Sequence, residues 1–142
     1  MKLTRGGEYG IRGVLYLAQQ DDGRVSMLSA IAKAQDVPPR FLAKIFQALA
    51  KAGVVKSHRG AKGGFSLGRP ASDITMKDVI EAIEGPIYLN VCLMAEGECS
   101  RDKICPAHAI WEEAQGKMMD VLSRANFADL AKAERQLQIS HA

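Results

Sequence analysis

Apolar residues recur every three or four positions in the first third of the chain, which is the spacing of one face of a helix. We expect Ser26 or Ser29 to cap the second helix, because a serine hydroxyl accepts a hydrogen bond from the free amides of a first turn. Gly53 supplies the residue that commonly ends a helix in the left-handed conformation. The pattern predicts three helices, over residues 8–20, from the serine cap to residue 33, and over residues 39–52.

The third predicted helix has two opposite faces. Its apolar face comprises Phe41, Leu42, Ile45, Phe46 and Leu49. The opposite face carries only cations and one amide, at helical intervals: Arg40, Lys44, Gln47 and Lys51. The first face predicts burial in a core, and the second predicts a stripe that faces solvent.

Two short extended runs follow, residues 54–57 and 64–67, with a glycine-rich tip between them that carries Arg59 and Lys62. The glycines could serve only to permit a tight turn. The tip could also lay a cation along the minor groove of DNA or against a phosphate, and the two interpretations are compatible. Helix, short turn, helix and hairpin in this order are typical of a winged helix-turn-helix.

The second half of the chain predicts a fourth helix, which Thr75 caps and which ends at Glu84, before a loop that contains all three cysteines. A long helix then runs from residue 107 to about residue 125. We expect it to pair with its copy in a homodimer, although a helix of an intramolecular bundle would show the same pattern. Its apolar residues form a coiled-coil-like seam: Ala107, Ile110, Trp111, Ala114, Met118, Val121, Leu122 and Ala125.

These elements predict a mainly α fold with a small β-hairpin wing. We expect three parts: a winged helix-turn-helix domain over residues 1–85, a cysteine-containing loop over residues 86–106, and a dimerisation helix with a C-terminal tail over residues 107–142.

The composition of the 142 residues, 47% hydrophobic and 25% charged, suits one domain plus an association element. The apolar runs are far shorter than the roughly 18 residues that a membrane span needs. No apolar stretch precedes Glu8, and three cysteines cannot all pair within one chain. We therefore expect a cytoplasmic protein of a reducing compartment, with no membrane partner.

Charge is unevenly distributed along the chain. Residues 1–85 hold 13 Lys and Arg against 8 Asp and Glu, whereas residues 86–142 hold 6 against 8. Residues 40–69 contain seven basic residues and no acidic one. Such a block indicates a polyanionic partner, and double-stranded DNA suits the predicted fold. Arg and Lys side chains can donate hydrogen bonds to guanine in the major groove, and Gln47 can pair with adenine. The alternatives are a basic face that is only solvated, or a winged domain that serves only protein contacts.

Three cysteines, Cys92, Cys99 and Cys105, lie on one loop, and His108 follows one helical turn later. Three thiolates need a fourth donor to hold either an iron–sulfur cluster or a tetrahedral zinc ion. The intervals lack the short C-x2-C of zinc knuckles, and Pro106 is a common companion of cluster ligation, so we favour a cluster. The polar neighbours argue against three buried, inert thiols. We expect no enzyme, because no C-x-x-C or nucleophile–base pair indicates thiol redox chemistry.

Several stretches together resemble the Rrf2 family of winged-helix transcriptional regulators, which includes the iron–sulfur regulators IscR, NsrR and RirA. The resemblance spans nearly the whole chain and weakens after residue 125. The matching stretches are Met1-Lys2-Leu3-Thr4 with Tyr9, Ile31-Ala32, residues 37–42, the wing at residues 56–67 and the cysteine loop.

The resemblance implies a homodimer that binds a partly palindromic operator, with the state of an iron–sulfur cluster altering DNA affinity or the choice of site. The three cysteines would be cluster ligands. The fourth ligand would be His108 in an IscR-type protein, or a carboxylate at the position of Glu8, donated by the partner subunit, in an NsrR-type protein. A [2Fe–2S] cluster is favoured and a [4Fe–4S] cluster stays open.

Overall fold

The computed structural model describes residues 3–141, so that Met1 and Lys2 of the motif noted above lie outside the described residues. The fold is mainly helical with one antiparallel hairpin, which confirms the predicted winged helix-turn-helix class. Two short 3-10 turns, Ala71–Asp73 and Val91–Leu93, join longer elements. Those elements are α1 (Arg5–Ala18), α2 (Leu28–Gln35), α3 (Pro39–Lys51), β1 (Val55–His58), β2 (Gly64–Leu67), α4 (Met76–Glu84), α5 (Ala107–Arg124) and α6 (Phe127–Ser140).

Local signals explain where α1, α3 and α4 begin and end. The Thr4 hydroxyl caps α1 by accepting a hydrogen bond from the Gly7 amide. The helix therefore begins at Arg5, three residues before the predicted start at residue 8. Thr75 and Asp78 form a reciprocal capping box at the start of α4, as the Thr75 cap predicts. Gly53 has φ of +78°, which confirms the left-handed stop after α3.

The prediction that Ser26 or Ser29 caps α2 is wrong. The residue at the cap position is Met27, and no side chain caps the helix. The backbone of Ser26 instead bonds to Phe65 of β2, with both N–O distances at 2.8 Å. The segment before α2 is therefore joined to the edge of the two-stranded wing by a single β-bridge, which fixes the turn into α2.

The core lies between α1, α3 and α4, and its largest fully buried side chains include Phe46, Leu42 and Leu49 from α3. The Phe46 ring meets Phe65 of the wing edge-on, with ring centroids 5.0 Å apart. Gly13 of α1 has no room for a Cβ atom, because the Phe46 ring occupies that space. Phe41, which periodicity assigns to the same buried face, is 61% exposed, so that part of the prediction is wrong.

Residues beyond Ala125, which the sequence pattern leaves as a tail, form a further helix. Asn126 caps α6 through the Asp129 amide, and Phe127 in its first turn is fully buried. Glu134 accepts a 2.6 Å hydrogen bond from Gln19 at the end of α1. The C-terminal helix therefore packs back onto the winged-helix unit.

None of the 18 residues of the long helix α5 is fully buried, and most of them are exposed. Ile110, Trp111 and Val121 of the predicted seam are 66%, 41% and 55% exposed. Within residues 3–141, α5 contacts α4, and Met118, Leu122 and Ala125 of the seam are half-buried, so the chain covers only part of this seam. No helix among residues 3–141 is long and apolar enough to cross a membrane.

Candidate nucleic-acid interface and cysteine loop

The predicted cationic stripe lies on the exposed side of α3. Its four polar residues are all exposed, whereas Leu42, Ile45, Phe46 and Leu49 on the other side are buried. Asp36 adopts the left-handed conformation, with φ of +53°, in the tight turn that joins α2 to α3. The structure thus gives α3 the position and polarity of the second helix of a helix-turn-helix. The stripe comprises Arg40, Lys44, Gln47 and Lys51.

The wing presents Arg59 and Lys62 at an exposed tip. Gly60 has φ of +103°, a conformation that favours glycine. At the base of the hairpin, the His58 Nε2 atom lies 2.8 Å from the buried Ser66 hydroxyl, where it can either donate or accept a hydrogen bond. The tip is therefore both a tight turn and a projection that carries two exposed cationic side chains.

Arg69 belongs to the basic block in the sequence but does not join this surface. Its guanidinium forms a 3.0 Å ion pair with Asp78 and also donates to the Asp73 carbonyl. Burial alone would raise the pKa of Asp78, but hydrogen bonds from Thr75 and Arg69 outweigh it, so the pKa of this carboxyl lies below its ordinary value. Arg69 is thus committed to stabilising the start of α4.

The cysteine loop encloses a small cavity of about 120 Å³. Its three cysteines are free thiols and are half-buried. His108 contributes its ring to the same wall, and Asp102 and Trp111 complete much of the lining. The structure therefore brings the four predicted ligands to one cavity: Cys92, Cys99, Cys105 and His108.

The imidazole of His108 has one engaged and one free nitrogen. Its Nε2 atom lies 3.4 Å from a carboxylate oxygen of Glu112, four residues further along α5. Its Nδ1 atom is buried and has no hydrogen-bond partner within residues 3–141. A carboxylate at Nε2 favours the tautomer that leaves a lone pair on Nδ1, which is the form a metal ligand needs. Sequence reasoning missed Glu112, although its four-residue spacing from His108 is a helical signal.

The donors are near one another but not assembled. Among residues 3–141, no three His, Cys, Asp or Glu side chains already converge closely enough to hold a metal ion. Glu8, the alternative fourth ligand, is exposed in the first turn of α1 and is not among the residues of the cysteine cavity. Three free thiols and one unpaired imidazole nitrogen on one cavity nevertheless have the right chemistry for a cluster or for zinc.

Comparison with known proteins identifies the family. Residues 3–133 match the family model Rrf2, described as an iron-dependent transcriptional regulator. The chain belongs to the Rrf2 family. It is 31% identical to the HTH-type transcriptional regulator IscR of Vibrio campbellii, over 99% of this chain and 83% of that protein.

Two solved Rrf2-family structures share the fold. T. potens IscR matches with a TM-score of 0.78 and 29% identity, over 97% of this chain and 91% of that one. CymR, the global cysteine regulator of B. subtilis, matches with a TM-score of 0.77 and 30% identity, over 94% of this chain and 98% of that one. The chain is therefore a transcriptional regulator with a DNA-binding winged helix, not an enzyme, and its structural neighbours serve more than one kind of signal.

Proposed function

We propose that this Rrf2 regulator acts in the cytoplasm as a homodimer on a partly palindromic operator in double-stranded DNA, and that an iron–sulfur cluster controls its binding. The observation that carries the proposal is the shared cavity of Cys92, Cys99, Cys105 and His108, with the unpaired Nδ1 atom of His108. The cluster provides the signal, and the winged helix provides the response.

DNA affinity comes from the cations of α3 and the wing. In the proposed complex α3 enters the major groove, where Arg40, Lys44 and Lys51 meet phosphates or guanine and Gln47 can pair with adenine. Arg59 and Lys62 lie along the minor groove or the backbone. Because each phosphate contact releases counterions, binding weakens steeply as salt concentration rises.

Dimerisation uses the exposed seam of α5. Ile110 and Trp111 are apolar side chains that stay partly exposed along this helix. In the proposed dimer they are buried against the same helix of the second subunit. A two-fold dimer presents two copies of α3, which suits half-sites about one or two turns of DNA apart.

The donor set fits a cluster held by three thiolates and the Nδ1 atom of His108. When bound, the cluster would supply redox-sensitive iron, and its loss would remove the link between these ligands. Glu112 holds the His108 ring through Nε2 and is a positioning residue. We favour a [2Fe–2S] cluster, and a [4Fe–4S] cluster that uses Glu8 of the partner subunit is the alternative.

The cysteine loop can transmit its state because it connects α4 to α5. The Leu89 amide near its start donates a 2.9 Å hydrogen bond to Gln115 of α5, and Val91–Leu93 also contacts that helix. Because the far end of α5 is bonded to the start of α4, a change at the cysteines acts on the start of α5, and through it on the second subunit. A coupling free energy of about 1–3 kcal/mol is enough for a useful switch.

The second candidate is a winged-helix repressor whose loop holds structural zinc without cluster-based sensing. The same donor set favours it, since three sulfurs and one imidazole nitrogen form a common tetrahedral zinc site. Zinc sites are colourless, so the two candidates differ in their visible absorption.

The test begins with protein purified without air, for visible absorption and for iron, sulfide and zinc analysis. We expect a coloured protein with iron and sulfide, and a large change in affinity for a selected duplex when the cluster is removed. The triple variant Cys92→Ser, Cys99→Ser, Cys105→Ser should lose colour and this response, whereas Ser100→Ala on the same loop should keep both. Colourless protein with zinc would support the alternative, and identical affinity with and without the cluster would refute cluster control.

A further inference from the structure

Phe41 is a large apolar side chain that the core does not use. It is 61% exposed, whereas the other four residues of the apolar face of α3 are at most 8% exposed. Exposing a phenylalanine gives up about 1.5–3 kcal/mol of burial free energy. The side chain is therefore available for a contact outside the folded chain.

The position of Phe41 places it beside the cationic stripe. Successive helical residues are turned by about 100°, so Phe41 lies at the border between the buried face and the stripe. Arg40 precedes it, and Lys44 lies one turn later on the neighbouring part of the surface. Phe41 is also in the first turn of α3, and residues near the start of a recognition helix are those that reach base edges.

The chemistry of the major groove provides one apolar group, the 5-methyl of thymine. The stripe can address guanine through its cations and adenine through Gln47, but none of its members has an apolar end for thymine. We propose that Phe41 is a specificity-determining residue that packs against a thymine methyl group in the operator. This inference rests on the proposed binding of α3 in the major groove.

The charge around Phe41 favours DNA over a protein partner. Residues 40–69 contain no acidic side chain, so any surface that covers Phe41 must also accept Arg40 and Lys44. An apolar patch on a second copy of this chain would not neutralise them, and the seam of α5 already offers an extended apolar surface for dimerisation. A duplex supplies phosphates for the cations and a methyl group for the ring.

The experiment selects tight-binding duplexes from a randomised library with wild-type protein, and then replaces single thymines by deoxyuridine, which removes only the methyl group. At one thymine in each half-site we expect wild-type affinity to fall about fourfold, because the free energy of burying one methyl carbon corresponds to a factor of about four in affinity. Phe41→Ala should bind about tenfold more weakly than wild type and should respond less than twofold to the same replacement.

Two controls separate this contact from other effects. Phe41→Leu, which keeps an apolar end, should retain the thymine preference, and Ile139→Ala, which shortens an exposed apolar side chain on α6, should bind like wild type. Equal responses of wild type and Phe41→Ala to every deoxyuridine would overturn the inference while leaving DNA binding intact. If wild-type protein selects no sequence and shows no salt-dependent binding, the proposed function itself fails.

Discussion

The winged-helix unit and the segment formed by the cysteine loop and α5 differ in how they obtain burial. The winged unit encloses Phe46, Leu42 and other fully buried side chains, and α6 closes over α1 with Phe127. In contrast, α5 buries none of its 18 residues, and the cysteines before it are only half-buried. Under the proposed function, the part that contacts DNA is complete within one chain, whereas the sensing part needs a cluster and a second subunit. A region whose burial depends on a bound group can change its conformation when that group binds or leaves, which is what regulation requires.

The largest expected effect contrasts an aromatic residue from each region. Phe46→Ala should lower the free energy of unfolding by about 3–5 kcal/mol, because it leaves a cavity between α1, α3 and the wing. Trp111→Ala removes a ring that is already 41% exposed, so it should lower the stability of dilute, monomeric protein clearly less than Phe46→Ala does, and it should also weaken dimerisation by about 2 kcal/mol. Denaturant unfolding followed by circular dichroism and sedimentation equilibrium measure the two quantities. Equal losses of monomer stability in both variants would remove the distinction between the regions.

A second contrast uses glycines in the same two regions. A Cβ at Gly64 would collide with the backbone of Ser26, so Gly64→Ala should destabilise the protein by about 1–3 kcal/mol and loosen the wing. Gly116 lies in α5 with open space around it, and Gly116→Ala should stabilise the helix by about 0.5–1 kcal/mol. Thermal unfolding of the two variants should therefore shift in opposite directions. A loss of stability in Gly116→Ala would show that α5 is closely packed on that side.

The smallest effect concerns acid stability. The pKa of Asp78 is lowered in the folded protein, so its contribution to stability is present above the ordinary carboxyl pKa of 3.8 and is lost as pH falls through the folded value. Asp78→Asn should flatten the fall in stability below about pH 4 by less than about 1 kcal/mol, since the ion pair with Arg69 is about one-third exposed. Asp120→Asn, from an exposed pair with Arg124 on α5, is the matched control. If both variants change the acid profile equally, the Asp78 contacts contribute nothing specific.

Local signals in the sequence predicted most of the fold. Pro39 and Gly53 define the ends of α3, and Thr75 begins α4, because these signals act within one helical turn. The failures depend on distant residues. Ser26 pairs with Phe65 rather than capping α2, and α6 is stabilised by contacts with α1, more than 100 residues earlier in the chain.

The candidate site shows the same division between local and distant causes. Helical spacing correctly predicted the exposure of Arg40, Lys44, Gln47 and Lys51. It could not separate Phe41 from its buried neighbours, because that residue lies at the border of the apolar face. It could not show that Asp78 engages Arg69, or that three cysteines separated by five and six residues reach one cavity, since both depend on how the chain folds.

The join between α5 and α6 limits how the subunits of a dimer can move. The Met76 amide donates a hydrogen bond to the Ala125 carbonyl, and the Phe127 amide donates one to the Ile74 carbonyl, both at 2.9 Å. These two bonds hold the end of α5 against the start of α4. The other end of α5 is held by the cysteine loop, so the helix is attached to the rest of the chain at both ends and has little freedom to pivot. A dimer joined through such helices would tolerate little change in the number of base pairs between half-sites. The spacing of the half-sites would then determine which promoters this regulator binds.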